Sequence, residues 1–244
     1  MKKLVLSTVC AFAMAGAAFA QGTVQWATIS SGNMSGQTNS TQISPLFGGA
    51  ATGAGAVGNT STASAGFYYE LLYRSQLVAG QQVLDPSPTT LASLFAWSDS
   101  GLGATNSVNI ARALVPIGNQ NNAGASVPNS WNNGTTNDIM MIGWSANLGT
   151  SWLSVSNDLA NWGTVQSTIV GQAFFGVSVT GFINPLTTGT SPGAPVFGAA
   201  NAQGTPIIAP LTQLYLLPVP EPASMALIGL GGLSLMLIRR KRKS

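Results

Sequence analysis

The sequence predicts a mainly β fold, a single β-sandwich of jelly-roll type that also carries one or two short helices. Short apolar runs repeat with period two and are separated by turns rich in Gly and Asn. Of the 244 residues, 45% are hydrophobic and only 6% are charged, which is far below the roughly 25% charged of an ordinary soluble domain. About 200 residues lie between two terminal segments of different character, which suits one such domain.

The strongest strand pattern is GFYYELLYR, from Gly66 to Arg74. Its odd-numbered positions place apolar and aromatic residues on one face: Phe67, Tyr69, Leu71 and Tyr73. Glu70 and Arg74 lie on the other face, where we expect both charges to be solvated.

Five further stretches read as strands. DIMMIGWSA (138–146) is continuously apolar from Ile139 to Trp144, which predicts a central strand buried on both faces. QAFFGVSVTGFI (172–183) alternates and predicts one strand with Phe175, Val177, Val179 and Ile183 on the same face. The weaker candidates are TVQWATI (23–29), SVNIARALV (107–115) and LTQLYLL (211–217).

Two stretches carry helical spacing instead. After Thr90, a possible N-cap, Leu91, Leu94, Phe95 and Ser98 recur as on one helix face. Further on, Trp152, Val155, Leu159 and Trp162 recur at helical steps, and Gly163 would end that helix. The Gly-, Ser-, Thr- and Asn-rich segment from Ser30 to Ser64 is expected to be partly a long surface loop.

The N-terminus has the pattern of a secretory signal peptide spanning residues 1–20. Lys2 and Lys3 precede an apolar run, and the small residues Ala18 and Ala20 stand at the positions that a signal peptidase reads. The alternative is a retained membrane anchor.

Removal of residues 1–20 would take away Cys10, the one cysteine of a chain that has no histidine. Disulfides, thiol nucleophiles, Ser–His–Asp triads and His or Cys metal sites are then excluded from the exported protein. The body, residues 21–217, carries two arginines against five acids, a formal charge of −3. Such a body offers no electrostatic basis for binding nucleic acid, and no cofactor motif occurs in it.

The C-terminal segment, residues 218–244, has three parts in a fixed order. Pro218 to Pro222 cannot continue a helix and form an extended spacer. The uncharged run of about 223–238 would reach roughly 24 Å as a helix, and flanking basic stems can lengthen the apolar span to suit a bilayer. A basic stop follows on the cytoplasmic side: Arg239, Arg240, Lys241, Arg242 and Lys243. The alternative is a buried core helix followed by a solvated basic tail.

This tail, VPEP followed by a Gly-rich apolar run and RRKRK, resembles the PEP-CTERM sorting signal of Gram-negative bacteria. Pro220, Glu221 and Pro222 match the motif that names the family. The resemblance implies processing by an exosortase, a membrane cysteine transpeptidase, near this motif. It also implies a surface or extracellular-matrix setting, commonly linked to exopolysaccharide and biofilm. Within the body, IGWSANLGTSW, GQAFFGVSV and GFYYELLYR are similar to stretches of verrucomicrobial-type PEP-CTERM proteins.

Inside the body, two tryptophans are the best candidates for stacking on a glycan. Trp131, beside Asn132, is expected in an exposed loop, and Trp162 lies next to Asn161. The alternative is that both fill the core. A glycan hydrolase would need two facing carboxylates, such as Asp138 and Asp158, but scattered acids in a β domain are usually turn residues.

Together these patterns predict an exported, non-enzymatic protein that needs no cofactor or metal. It would be tethered to the membrane by its C-terminal helix and later surface-attached or released. Its expected partners are signal peptidase, an exosortase-type transpeptidase and polysaccharide. A structural or adhesive role is the first interpretation, a carbohydrate-binding module with exposed tryptophan the second, and a hydrolase with paired acids the third.

Overall fold

The computed structural model describes residues 22–26, 35–50, 55, 57–60, 66–77, 84–118, 124–128, 131, 134–187, 192–207 and 211–218. In this part of the chain the strands are β1 (Gly22–Gln25), β2 (Ser35–Ile43), β3 (Val57–Asn59), β4 (Phe67–Ser75), β5 (Ser98–Asn106), β6 (Leu114–Pro116), β7 (Ala125–Ser126), β8 (Asn137–Ser145), β9 (Phe174–Val177), β10 (Gly181–Ile183), β11 (Leu186–Thr187), β12 (Ala194–Pro195), β13 (Gly204–Thr205) and β14 (Leu211–Leu216). The helices are α1 (Leu91–Phe95), α2 (Trp152–Ala160) and α3 (Trp162–Val165). Short 3₁₀ turns occupy Pro45–Phe47, Ala146–Leu148 and Gln166–Thr168.

Among the described strands, ten form the main sheet and four form a small sheet. The main sheet runs in the order β3-β2-β14-β9-β8-β4-β5-β6, with β10 also paired to β8 and β13 to β10. Its neighbours are antiparallel except for β14 and β2, which are parallel. The small sheet has β1 at its centre, paired with β7, β11 and β12.

The middle of the main sheet is the pair β4 and β8, whose register runs from Phe67 opposite Ser145 to Ser75 opposite Asn137. Every residue of β8 is buried, so the predicted central strand is confirmed. Because successive side chains point to opposite faces, β4 and β8 supply two separate hydrophobic cores. Leu71 and Met141 belong to one of them, and Leu72 and Met140 to the other.

The first core lies between the main sheet and the small sheet. Apolar side chains of β1, β7 and β12, including Val24, Ala125 and Ala194, pack with Tyr69 and Leu71 of β4. The small sheet therefore covers one face of the main sheet.

The second core lies between the main sheet and the helices. The four residues predicted to share one helix face are all buried in it: Trp152, Val155, Leu159 and Trp162. Ser151 caps α2 through its side chain, and Thr90 forms a capping box with Ser93 at the start of α1, as predicted for Thr90. Gly163 does not end the helix as predicted, because α2 stops at Ala160 and Gly163 lies inside α3.

The main sheet is curled, so that its two edge regions meet. The amide of Gly36 on β2 donates to the carbonyl of Arg112, in the loop between β5 and β6, at 3.0 Å. The Arg112 guanidinium also donates from Nε to Asn59 Oδ1 on β3. These bonds tie the β2–β3 edge to the loop that follows β5.

The predicted single strand from 172 to 183 is interrupted by a bulge. Val177 pairs with Ile142 and Gly181 with Ile139, so three residues on this side oppose two on β8. Ser178 bridges the gap, since its amide donates to the Met141 carbonyl at 2.8 Å and its hydroxyl accepts from the Met141 amide at 2.9 Å. The extra residue changes the alternation, and Val179 is 45% exposed rather than buried.

Three further expectations differ from the structure. The polar segment 30–64 contains the nine-residue strand β2, held between β14 and β3, and also the short strand β3. In the stretch 107–115, only Leu114 and Val115 belong to a strand, β6. The mainly β class is confirmed, but the described residues place helices on one face and a small sheet on the other, with three helices, rather than a two-sheet jelly roll.

Candidate functional site

Trp131 is a core residue and not the exposed loop residue that was predicted. Its side chain has no exposed surface, and its ring stacks on Tyr73 at 5.2 Å between centroids, with 8° between planes. Since a sugar can stack only on an accessible ring, Trp131 does not offer a glycan platform in this conformation.

Trp162 is also buried, with 6% of its surface exposed. It is the first residue of α3, and its ring meets Phe47 edge to face at 5.8 Å. Its indole N–H donates to the carbonyl of Pro218 at 3.1 Å. Trp162 therefore fixes the backbone at Pro218, just after β14. The expectation that its ring is exposed is wrong.

Three charged residues that sequence reasoning left apart form one cluster, here called the charged cluster: Arg74, Asp85 and Asp138. Arg74 lies directly opposite Asp138 in the β4–β8 register, with 3.5 Å between Nε and Oδ2. Its Nη2 also contacts Asp85 Oδ2 at 3.2 Å. Neither Asp138 nor Arg74 is solvated, since the Asp138 side chain has no exposed surface and that of Arg74 is 16% exposed.

The two carboxyl groups of the charged cluster have opposite pKa shifts. The pKa of Asp138 is raised to about 7, chiefly by burial and also by the neighbouring Asp85, whose effect exceeds the lowering by Arg74. Neither carboxyl oxygen of Asp138 has a hydrogen-bond partner of normal geometry. The pKa of Asp85 is lowered, first by its interaction with Asp138 and then by the Leu77 amide and Arg74, against its own desolvation. These opposite shifts favour a protonated Asp138 beside an ionised Asp85 at pH values below about 7.

The charged cluster joins four parts of the fold. Arg74 is at the end of β4, and Asp138 is near the start of β8. Asp85 stands in the segment before α1, and its carbonyl accepts from the hydroxyl of Thr180 in the bulge. The charged cluster therefore links these four parts through ion pairs and a hydrogen bond.

A second acid pair lies on the same face of β4. Burial raises the pKa of Glu70 to about 8, with Asp99 adding to the shift through its charge and a hydrogen bond. Asp99 is itself exposed and accepts from the Gly101 amide at 2.7 Å. The expectation that Glu70 is simply solvated is therefore wrong.

An open aromatic pocket of about 310 Å³ adjoins the charged cluster. Its walls are Phe95, Trp97, Trp152, Ser156, Asn157 and Ala160. Arg74 stacks over Trp97 with its guanidinium carbon 4.4 Å from the ring centroid, and this cation–π contact connects cluster and pocket. The Trp97 indole N–H is buried and donates to no protein group.

The acids proposed for hydrolysis are placed differently. Asp138 lies on β8 and shares Arg74 with Asp85, whereas Asp158 lies on α2 and is half-buried. The partner of Asp138 was missed because Asp85 is 53 residues away in sequence and directly precedes Pro86, which favoured a turn role. Within the described ranges, no group of three or more acidic, Cys or His side chains is arranged to hold a metal ion.

The sequence-predicted processing residues lie outside the described residues: Ala18, Ala20, Pro220, Glu221, Pro222, Arg239, Arg240, Lys241, Arg242 and Lys243. The predicted segment 223–238 lies outside them too. In the part of the chain that the structure covers, no helix has the length and apolar character needed to cross a bilayer.

Comparison with known proteins identifies the tail and leaves the body without a match. The family model of the PEP-CTERM protein-sorting motif matches residues 218–243. No curated protein and no solved structure matches the chain. The motif implies export and sorting to the surface, with recognition by an exosortase. Its first residue, Pro218, is the one that Trp162 holds.

Proposed function

We propose that this is an exported, non-enzymatic protein with a structural or adhesive role in the cell envelope or an exopolysaccharide matrix. The observation that carries the proposal is the sorting motif at residues 218–243, attached directly to a charge-poor β body. The signal-peptide pattern of residues 1–20 supports export, and an apolar segment at 223–238 would tether the chain before processing. The likeness to verrucomicrobial-type proteins stays a prediction.

The burial and pairing of the charged cluster support a role in which these acids are not catalytic. A general acid or nucleophile must reach its substrate, whereas Asp138 is fully buried and Asp85 is engaged by Arg74 and the Leu77 amide. Low charge also suits a protein packed into a matrix, because little repulsion keeps neighbouring copies apart.

The test is the intact mass of the mature protein from its native host, measured separately in membrane and medium. We expect a chain that begins at Gln21 and lacks everything after about Pro222. A Glu221→Ala variant should remain full length in the membrane fraction, while Asp158→Ala, which lies in the body, should be processed as the parent is. A parent chain that keeps Arg239 to Ser244 in every fraction would contradict sorting by an exosortase.

The aromatic pocket favours carbohydrate binding as a second candidate function. Its volume of about 310 Å³ lies at the lower end of small-molecule sites, roughly 300–1,000 Å³. Phe95, the exposed ring of the pocket, can pack against the apolar face of a sugar, while Ser156 and Asn157 can bond its hydroxyls. The pocket replaces Trp131 and Trp162 as the place where a glycan would bind.

Retention on a panel of insoluble glycans tests this second function. Phe95 is the most exposed ring of the pocket at 39%, so Phe95→Ala and Asn157→Ala should both reduce retention without unfolding the body. Leu153→Ala is the matched control, since Leu153 is 73% exposed on α2 but does not line the pocket. Equal retention of all three variants and the parent would refute binding in this pocket.

A further inference from the structure

The end of the body from which the tail departs is fixed by four contacts. The Leu217 amide donates to the Ala173 carbonyl at 2.8 Å, and the Leu216 carbonyl accepts from the Ser44 amide at 2.8 Å. Leu217 is buried in the helix-side core, and Trp162 holds the Pro218 carbonyl at 3.1 Å. These contacts hold the chain in place as far as Pro218.

The link from this fixed point to the proposed membrane segment is short. Ala223 follows Pro218 by five residues, which span at most about 18 Å when fully extended. A globular body of about 200 residues has a radius of gyration of about 16 Å and is about 40 Å across. Because the link is shorter than the body is wide, the body cannot turn freely, and its tail-bearing end must stay near the bilayer.

The surface at this end, here called the exit face, consists of Ile43, Phe47 and Val170, and it lies around the buried Trp162. Ile43 is 41% exposed and pairs with Leu216. Phe47 packs on Trp162, which contacts Pro218. Val170, three residues before Ala173, is 87% exposed, the largest value among the exposed large apolar residues described.

Charge is concentrated at the opposite end of the strands. The register places Leu216 beside Phe174, Phe175 beside Trp144, and Ser145 beside Phe67, so the exit face adjoins the end of β8. The charged cluster contains Asp138, seven residues before Ser145 on β8, which corresponds to about 23 Å along a strand. The nearest charged residue to Trp162 along the chain is Asp158 on α2.

We propose that the exit face lies against the lipid bilayer while the chain is tethered. This inference rests on the membrane segment that the proposed function assigns to residues 223–238. The tether keeps the exit face at a high effective concentration next to the lipid, so a small apolar surface is sufficient for contact. Exposed Val170 and Ile43 can enter the interfacial region without bringing a charge with them.

Single-cysteine labelling tests the proposal in the full chain. Cys10 is the one native cysteine, and Cys10→Ser removes it. Val170→Cys and Ile43→Cys place a fluorescent label on the exit face, and Leu77→Cys is the control. Leu77 is 66% exposed, and its amide bonds Asp85 at the charged end. Each labelled protein is reconstituted in phosphatidylethanolamine–phosphatidylglycerol vesicles that contain a lipid with a quencher on its acyl chain.

The proposal expects the lipid quencher to remove most of the fluorescence at positions 170 and 43 and little at position 77. Equal quenching at all three positions would overturn it. So would a label at position 170 that is shielded from a water-soluble quencher yet out of reach of the lipid quencher, since a protein partner or a second copy would then cover the exit face. Flotation with the vesicles is scored in the same samples. Protein that does not float contradicts the membrane segment itself, whereas floating protein with unquenched exit-face labels contradicts only this inference.

Discussion

Replacement of Asp138 by asparagine should remove much of a pH dependence that the charged cluster gives to the stability of the body. The pKa of Asp138 is raised from 3.8 to about 7 by burial and by Asp85. A group whose pKa is higher in the folded state stabilises the fold most when it is protonated, and this stabilisation is lost as the pH rises through the folded-state value. At about 1.4 kcal/mol per pKa unit, ionising Asp138 costs about 4 kcal/mol between pH 4 and pH 8.

Asparagine has nearly the shape of a protonated aspartic acid and cannot ionise. Its amide can donate to the Asp85 carboxylate in place of a proton on Asp138, so stability near pH 4, where Asp138 is still protonated in the folded state, should change by no more than about 1 kcal/mol. At pH 8 the variant should be the more stable protein by several kcal/mol. For a domain of this size, a difference of about 4 kcal/mol corresponds to about 10 °C in Tm.

The assay is thermal unfolding of the purified chain in non-ionic detergent from pH 4 to pH 9, followed by tryptophan fluorescence and far-UV circular dichroism. The pKa of Glu70 is raised to about 8, so its ionisation also lowers stability as the pH rises. The Tm of the parent should therefore fall more steeply with pH than the Tm of Asp138→Asn. The double variant Asp138→Asn, Glu70→Gln should show the weakest dependence of Tm on pH. Asp158→Asn, outside the cluster, is the control. A Tm of Asp138→Asn that falls with pH as steeply as that of the parent would refute the raised pKa of buried Asp138.

Three other changes have expected effects on stability, each measured by urea unfolding at pH 6. Gly176→Ala should destabilise by about 3 kcal/mol, because its Cβ would lie 2.2 Å from the Gln213 carbonyl oxygen, whereas Gly163→Ala meets nothing within 4 Å inside α3 and should be neutral or stabilising; equal losses would contradict the close approach of β9 and β14. Trp162→Phe keeps a ring against Phe47 but loses the hydrogen bond to Pro218, at an expected cost of about 1 kcal/mol. Unchanged stability would argue against a stabilising bond between Trp162 and Pro218. Thr90→Ala removes the capping box of α1 and should lower the free energy of unfolding by about 1 kcal/mol. Thr90→Ser keeps the hydroxyl and should be as stable as the parent.

The strands that were predicted correctly from the sequence are those whose hydrophobic pattern indicates which of their faces are buried. β4 alternates apolar and polar residues, and β8 is apolar on both faces, so pattern alone predicts a half-buried and a central strand. β2, with the sequence SGQTNSTQI, has no such pattern. It is held by its ladder with β14 and by buried polar side chains such as Asn39, whose Oδ1 accepts from the amides of Thr41 and Gln42. A strand held by polar contacts of this kind has no alternation of apolar residues, so the sequence pattern does not predict it.

The candidate sites were harder to predict because they depend on register and distance. The position of Arg74 on the polar face of β4 was predicted, but its meeting with Asp138 requires knowledge that β4 pairs with β8 and in which register. Trp131 stands beside Asn-rich residues that suggest a surface loop, yet Tyr73 provides a parallel ring that buries it. The sorting motif, by contrast, is contiguous in sequence and needs no fold to be recognised.

The place of β14 in the main sheet sets the timing of folding during export. This strand, the last before the sorting motif, is inserted between β2 and β9 and is not added at an edge. A chain that crosses a membrane unfolded and N-terminus first cannot close the sheet until Leu216 has emerged, by which time the next residues to follow are those of the sorting motif. For a chain exported in this way, completion of the fold coincides with arrival of the motif at the membrane, and a body stalled in translocation lacks the strand that joins the two halves of its sheet.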